Sequence, residues 1–310
     1  YSNPGMAMLA YAVTAALRAP AASHRRSRLL MVAVTVVGIA GFLLPFWLPA
    51  DASGQPRSAE APMLTAIVAV LVLVALALDL RSHTRSAASI ALLGMVSAAA
   101  GLLRLLDLPG GGSGVFFAIL LAGAAFGTWF GLYAGIFAMV VGALLTGGVG
   151  PWLPYQALAA GWIGASAGLL GHVTRRLAPR AEVVVLAVFA WLWGFVYGAI
   201  LNLWFWPVRV GTGDLDWNPD LSFVETVQHY WRFYLTTSFA WDAAGALANA
   251  VLILLTGRAV LQAFRRVAGR LAPQIEFYTP QQGPPGSGFD RSDDTTRASA
   301  EHPVDERTAP

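Results

Sequence analysis

The sequence predicts an all-α polytopic membrane protein, and three observations predict it. Of the 310 residues, 56% are hydrophobic and only 12% are charged, with a mean hydropathy of +0.60. No water-soluble domain needs that much apolar surface. Apolar runs of about 20 residues, the length that crosses a bilayer as a helix, recur through the chain. Arginines cluster between alternate runs, which is the charge pattern of membrane topology. Most of the formal charge of +3 therefore sits next to helix ends and makes no nucleic-acid surface. All 20 basic residues are arginine, which points to a GC-rich genome rather than to a mechanism. The absence of cysteine removes disulfides and thiolate metal sites from consideration.

Taken in order, residues 1–28 form an N-terminal segment. Its short apolar stretch lacks a charged leader and reads as interfacial or frayed. The chain starts at Tyr1 rather than Met, and is expected to be trimmed or to begin downstream of the natural start. After Arg25, Arg26 and Arg28, Leu29–Leu48 is a first span, stopped by Pro45 and Pro49. A polar loop, Asp51–Pro62, leads to a second span, Met63–Leu80, so residues 29–80 read as an accessory hairpin. Residues 87–272 hold six further spans: Ala87–Leu106, Val115–Trp129, Phe130–Leu145, Tyr155–Thr174, Glu182–Trp206 and Thr237–Leu261. Pro207–Thr236 reads as a long polar loop rich in aromatics. Residues 273–310, rich in Pro, Gly, Ser, Asp and Arg, have little to bury and are expected to be a disordered tail.

The stretch Leu144–Leu170, LLTGGVGPWLPYQALAAGWIGASAGLL, organises the core. A glycine-rich turn ends one apolar helix, Gly147–Gln156 reads as a loop at the mouth of the bundle, and the next helix carries Ala160, Gly164, Ala167, Gly168 and Gly171. Such a small-residue ridge lets a neighbouring helix lie very close. Arg25, Arg26, Arg28, Arg81, Arg85, Arg175, Arg176, Arg180, Arg258, Arg265, Arg266 and Arg270 fall on one side of eight spans, against Arg57, Arg209 and Arg232 opposite, with Arg104 at a helix end. Both termini are therefore expected to be cytoplasmic. Gly110–Gly114, Gly147–Pro154 and Pro207–Thr236 would then converge outside as a cover over a site.

The runs PGGGSGVFFAILLAGAAFG, GPWLPYQALAAGWIGASAGLL and WDAAGALANAVLILLTGRAVLQAFRR resemble the S components of energy-coupling factor (ECF) vitamin transporters. The resemblance covers about Ala87 to Arg270, and the N-terminal hairpin departs from it. It implies a six-helix core that binds a vitamin or related micronutrient from outside. It also implies partners: a membrane T component and two ABC-type ATPases, with the loaded S component toppling to release its cargo inside. GPWLPYQ resembles members associated with cobalamin or its precursors, and a riboflavin-like flat heterocycle fits the same description. The resemblance places partner docking on an alanine-rich face of the first core helix, hence Ala87 and Ala91, with Gly94 and Ala98 continuing a spacing suited to close helix contact.

The residues add their own case. No G-x-x-x-x-G-K-[ST] loop occurs, so ATP hydrolysis is expected in partner subunits and not in this chain. Aromatics crowd the outer loops and helix ends, beyond what an interfacial belt requires. Among them stand polar groups that are costly inside a span and normally face the bundle interior. Trp152, Tyr155, Gln156, Tyr197, Asn202, Trp241 and Asp242 are the expected substrate contacts, with Asn249 nearby on the last helix. Arg104 is expected to pair with Asp107 or snorkel, or else to meet a charged substrate group, as could Asp242. Asp214, Asp216, Asn218 and Glu225 take calcium-loop positions, but Pro219 stands where such loops need glycine, so a solvated acidic loop is expected. His24, His83, His172, His229 and His302 are scattered, and no catalytic or metal motif accompanies them, so no cofactor and no enzymatic chemistry are expected. A stand-alone secondary transporter and a non-transporting scaffold are the alternatives. A bacterial cell membrane is the expected location.

Overall fold

The computed structural model describes residues 29, 31–47, 66, 70, 74, 87–108, 112–208 and 213–271. The N-terminal segment, nearly all of the second accessory span and the tail lie outside the described residues. In lipid every backbone polar group must find its partner inside its own segment, so the apolar runs fold as helices. They are α1 (Met31–Phe46), α2 (Ala87–Leu102), α3 (Val115–Phe126), α4 (Thr128–Thr146), α5 (Leu153–Thr174), α6 (Pro179–Phe205), α7 (Phe223–Thr237) and α8 (Phe239–Leu271). Two-residue strands, β1 (Asp107–Leu108) and β2 (Gly112–Ser113), pair antiparallel between α2 and α3. Among the described residues, 5 helices are long and apolar enough to cross a membrane. The result is an all-α polytopic architecture.

The boundaries correct the sequence reading in four places. A span was expected over Val115–Trp129, yet α3 stops at Phe126 after 12 residues, about 18 Å at the helical rise. Gly127, at φ 99°, turns the chain there, and α4 starts at once. The short helix is accepted because it is enclosed: Ile119, Leu120, Leu121 and Ala122 are at most 1% exposed. The helix after the glycine turn begins at Leu153, two residues ahead of the expected start at Tyr155, so the end of the expected Gly147–Gln156 loop is the first turn of α5. The last helix runs 33 residues to Leu271, well past Leu261.

The fourth correction is α7, a helix inside the segment read as loop. Ser222 caps it: the Ser222 hydroxyl accepts from Glu225 N–H, and Glu225 Oε2 accepts from Ser222 N–H at 2.9 Å. This reciprocal capping box satisfies two otherwise orphan donors. Hydrogen bonds from the Ser222 side chain and backbone hold the Glu225 carboxyl below the usual carboxylate range. Glu225 is thus a helix cap. Tyr230, Phe233 and Tyr234 form the buried face, with the Tyr230 hydroxyl donating to Ala199 O and the Tyr234 hydroxyl to Phe195 O.

At the centre, α3, α4 and α5 meet backbone against backbone. A Cβ on Gly164 would strike Gly131 O, and one on Gly131 would strike Gly164 O. Gly123 faces the same Gly164 carbonyl, Gly135 faces Ala160 O, Gly168 faces Thr128 N and Gly171 faces Ala124 O. Two more glycines, Gly194 and Gly198, bring α6 onto Ala246 and Asp242 of α8. The accessory α1 lies on the core: Gly38 lies against Trp162 and Leu158, and the Phe42 ring meets Tyr155 edge-on at 5.0 Å.

Polar groups tie the same helices. At the arginine-rich end, Arg265 of α8 grips Glu182 of α6 with both nitrogens, at 2.8 and 2.6 Å. The Thr174 hydroxyl of α5 donates to the same carboxylate at 3.1 Å. Gly164→Leu is expected to abolish the close crossing and lower stability by at least about 3 kcal/mol, the upper range for overpacking. Gly94→Leu, at an exposed position where an added Cβ would meet nothing within 4 Å, should leave the thermal midpoint unchanged. Midpoints and membrane abundance of both variants check this; equal losses would contradict it.

Candidate functional site

Between α3, α5, α6 and α8 lies a cavity of about 330 Å³ in the arginine-poor half of the bundle. The close approach at Gly194 and Gly198 positions its walls. Trp193 and Tyr197, one turn apart on α6, line it with Phe116 of α3 and Trp241 and Asp242 of α8. The Phe116 and Tyr197 rings sit 4.5 Å apart. Trp241, 65% exposed, stands at the rim. Ile163, Ala190 and Asn249 complete the deeper part.

Two polar residues of the lining behave differently. Asn249 is 3% exposed and fully engaged: Oδ1 accepts from Phe117 N–H at 3.0 Å and Nδ2 donates to Gly245 O at 3.0 Å. Phe117 sits in the first turn of α3, where helix N–H groups lack intrahelical acceptors, so Asn249 caps α3 from another helix. Asp242 is not so provided. Its Oδ2 is buried without a hydrogen-bond partner, lying where Gly198 has no Cβ, with Tyr234 of α7 beside the carboxylate. The cavity is therefore lined by aromatic rings and by one acidic residue, whose Oδ2 is packed against Gly198 without a hydrogen-bond partner among the described residues.

The sequence-derived residues divide between this cavity and its surroundings. Tyr197, Trp241 and Asp242 line it. Asn202, further along α6, donates to Ser238 Oγ at 2.8 Å and ties the end of α6 to the start of α8. Trp152, Tyr155 and Gln156 are outside the lining. The Trp152 indole folds onto its own loop and donates to Gly148 O at 3.1 Å. Tyr155, 2% exposed, stacks on Trp204 at 4.7 Å and belongs to the core. Gln156 Oε1 accepts from Arg104 Nη2 at 3.2 Å, while Arg104 Nη1 reaches Met139 O at 3.5 Å. This gives Arg104 described partners on α4 and α5; the side chain of Asp107 lies outside the described residues. Of the docking pair, Ala91 is exposed on the outer face of α2 with Gly94 and Ala98, and the side chain of Ala87 is outside the described residues.

Sequence reasoning missed Phe116 and the glycines Gly194 and Gly198. Their signal was present: Gly194 and Gly198 are four apart, as are Asp242 and Ala246, and paired small residues at that spacing mark helix contacts. The capping box Ser222–Glu225 likewise announced α7.

A family model described as the substrate-specific component of ECF transporters matches residues 88–256. The match contains every residue that lines the cavity, from Ser113 to Asn249. No curated protein and no solved structure matches the chain. Within the matched region Asn249 is tightly constrained. Asn249→Leu would strand the Phe117 N–H in apolar surroundings and is expected to cost about 1–3 kcal/mol, read as a lowered thermal midpoint; an unchanged midpoint would mean that the amide finds another acceptor.

Proposed function

The chain belongs to the family of substrate-specific (S) components of ECF transporters, and on that premise we propose that its aromatic cavity is the substrate site. Members of this family are binding and transport subunits that work beside a T component and ATPases. The reading here is that this chain captures a compact vitamin or related micronutrient and passes it to an ATP-driven module. The observation that carries it is the cavity itself: concave, mostly apolar, walled by Phe116, Trp193, Tyr197 and Trp241, with few polar groups. Ligand sites have that character.

Size selects among substrates. A volume of about 330 Å³ is near the lower end of ligand pockets, roughly 300–1,000 Å³. It suits a one- or two-ring heterocycle. Cobalamin or a precursor, suggested by the GPWLPYQ stretch, is far bulkier, and Trp152, Tyr155 and Gln156 of that stretch stand outside the lining. The arginine-rich end is read as cytoplasmic by the positive-inside rule, so the cavity opens outward. The outer face of α2, with Ala91, Gly94 and Ala98 exposed and Ala87 preceding them, is the proposed seat of the T component, because small residues let a partner helix approach closely.

The test is thermal stabilisation of the purified protein in nanodiscs against riboflavin, biotin, thiamine, folate and cobalamin. A compact vitamin is expected to raise the midpoint, by about 2.7 kcal/mol in stability at a hundredfold excess over its dissociation constant. Ala190→Phe, which fills the cavity, should erase that shift, whereas Trp152→Ala should preserve it. The reverse pattern would move the site to the 147–152 loop.

A further inference from the structure

The lining carries a charge preference as well as a shape. We propose that the ligand is an organic cation, a compact ring bearing a quaternary or protonated nitrogen that sits against Asp242 and the surrounding aromatic faces; this rests on the cavity being the substrate site.

Three observations converge on that chemistry. The first is the box of rings. Phe116, Trp193, Tyr197 and Trp241 all line a space of about 330 Å³, and aromatic rings attract cations, tryptophan most strongly. The second is Asp242, the one ionisable acid or base among the lining residues apart from the Tyr197 phenol. Its Oδ2 is buried with no hydrogen-bond partner. A buried carboxylate oxygen left so is costly, and an ionisable group inside a span marks a functional position. A cation entering the box supplies the missing counter-charge. The third is that the described residues provide no internal substitute there. No arginine or histidine lines the cavity, and the described buried ion pair, Arg265 with Glu182, ties α6 to α8 at the opposite end. The carboxylate also occupies the space that a Cβ at position 198 would fill, so its placement depends on Gly198.

The same geometry argues against other charge types. An anionic ligand would bring a second negative charge against Asp242 in a low-dielectric site, where like charges repel strongly. A neutral ring would fill the aromatic box but leave the carboxylate without a counter-charge.

The experiment compares isosteric probes on the unaltered protein in nanodiscs. 1-Methylnicotinamide, a cation, is set against neutral nicotinamide and anionic nicotinate, with thiamine and choline as further cations and riboflavin and biotin as controls. The expected result is stabilisation by at least one cation, with 1-methylnicotinamide preferred over nicotinamide by about tenfold or more. In Asp242→Asn the cation should lose at least about tenfold in affinity, while the ligand-free midpoint holds or rises because an unpaired charge is gone. Absence of stabilisation by every cation overturns the proposal. So does a neutral or anionic probe that binds as well and is indifferent to Asp242→Asn. If Ala190→Phe abolishes such binding, the cavity remains the substrate site and only its charge preference is lost. If binding survives Ala190→Phe, the site itself is elsewhere.

Discussion

The crossing of Gly131 with Gly164 constrains everything around it. Two helices whose backbones touch cannot slide or rotate without driving a carbonyl into the neighbouring chain. Lipid tails are as apolar as leucine, so burial of apolar side chains does little to hold helices together in a membrane. Dispersion between closely matched surfaces does, and it falls away with a gap of half an ångström to one ångström. The glycines of α4 and α5 remove that gap. Gly123 and Gly171 extend the contact to α3, which explains how a helix of 12 residues can occupy the centre of a bundle without spanning it.

A short central helix creates a second demand. The first-turn amides of α3 emerge inside the protein rather than at a watery border, and each needs an acceptor. Asn249 of α8 supplies one for Phe117 at 3.0 Å. This single amide couples the helix that the glycines hold with the helix that forms the far wall of the cavity. At the other end of α8, Arg265 and Glu182 fix it to α6. The pair α6–α8 is thus pinned near the arginine-rich end by charge and further along by Gly194 and Gly198. Between this pair and α3, large rings take the place of close contact, and the space they enclose is the cavity.

The legibility of these features in the sequence follows from their physics. Helices that face lipid must be apolar along their whole length, so composition and run length disclose them, and the ridge at Ala160, Gly164 and Gly168 is visible because close packing restricts residue type. The end of α3 was misjudged because apolar periodicity does not change at Gly127; only the turn geometry, φ 99°, reveals the break. α7 was passed over because a half-polar helix has no run length to notice, although its capping box was written plainly. The site was harder still. Trp152 and Tyr197 look alike in a sequence, both aromatic and both expected near the outer face, but one folds onto a loop carbonyl and the other lines a cavity. Which aromatics share a space depends on how four helices rotate, and no local pattern encodes that.

Hydrogen bonding separates the two charged residues that look alike in the sequence, Arg104 and Asp242. Arg104 reaches an amide and a carbonyl, partners on α4 and α5 that hold its donors in place. Asp242 keeps one oxygen, Oδ2, buried without a hydrogen-bond partner among the described residues, although the Tyr234 hydroxyl stands beside the carboxylate. A guanidinium already bound by neutral oxygens loses hydrogen bonds if a ligand draws it away, whereas an unpartnered carboxylate oxygen only gains. Tyr197 lies within electrostatic reach of both, so it stands on the boundary between a structural polar cluster and an unsatisfied one. In a membrane bundle, where desolvation makes every unpaired group expensive, a buried acidic oxygen without a partner on a residue that lines the cavity is the informative one. Asp242 therefore carries more of the proposed ligand chemistry than any of the residues whose hydrogen bonds are complete.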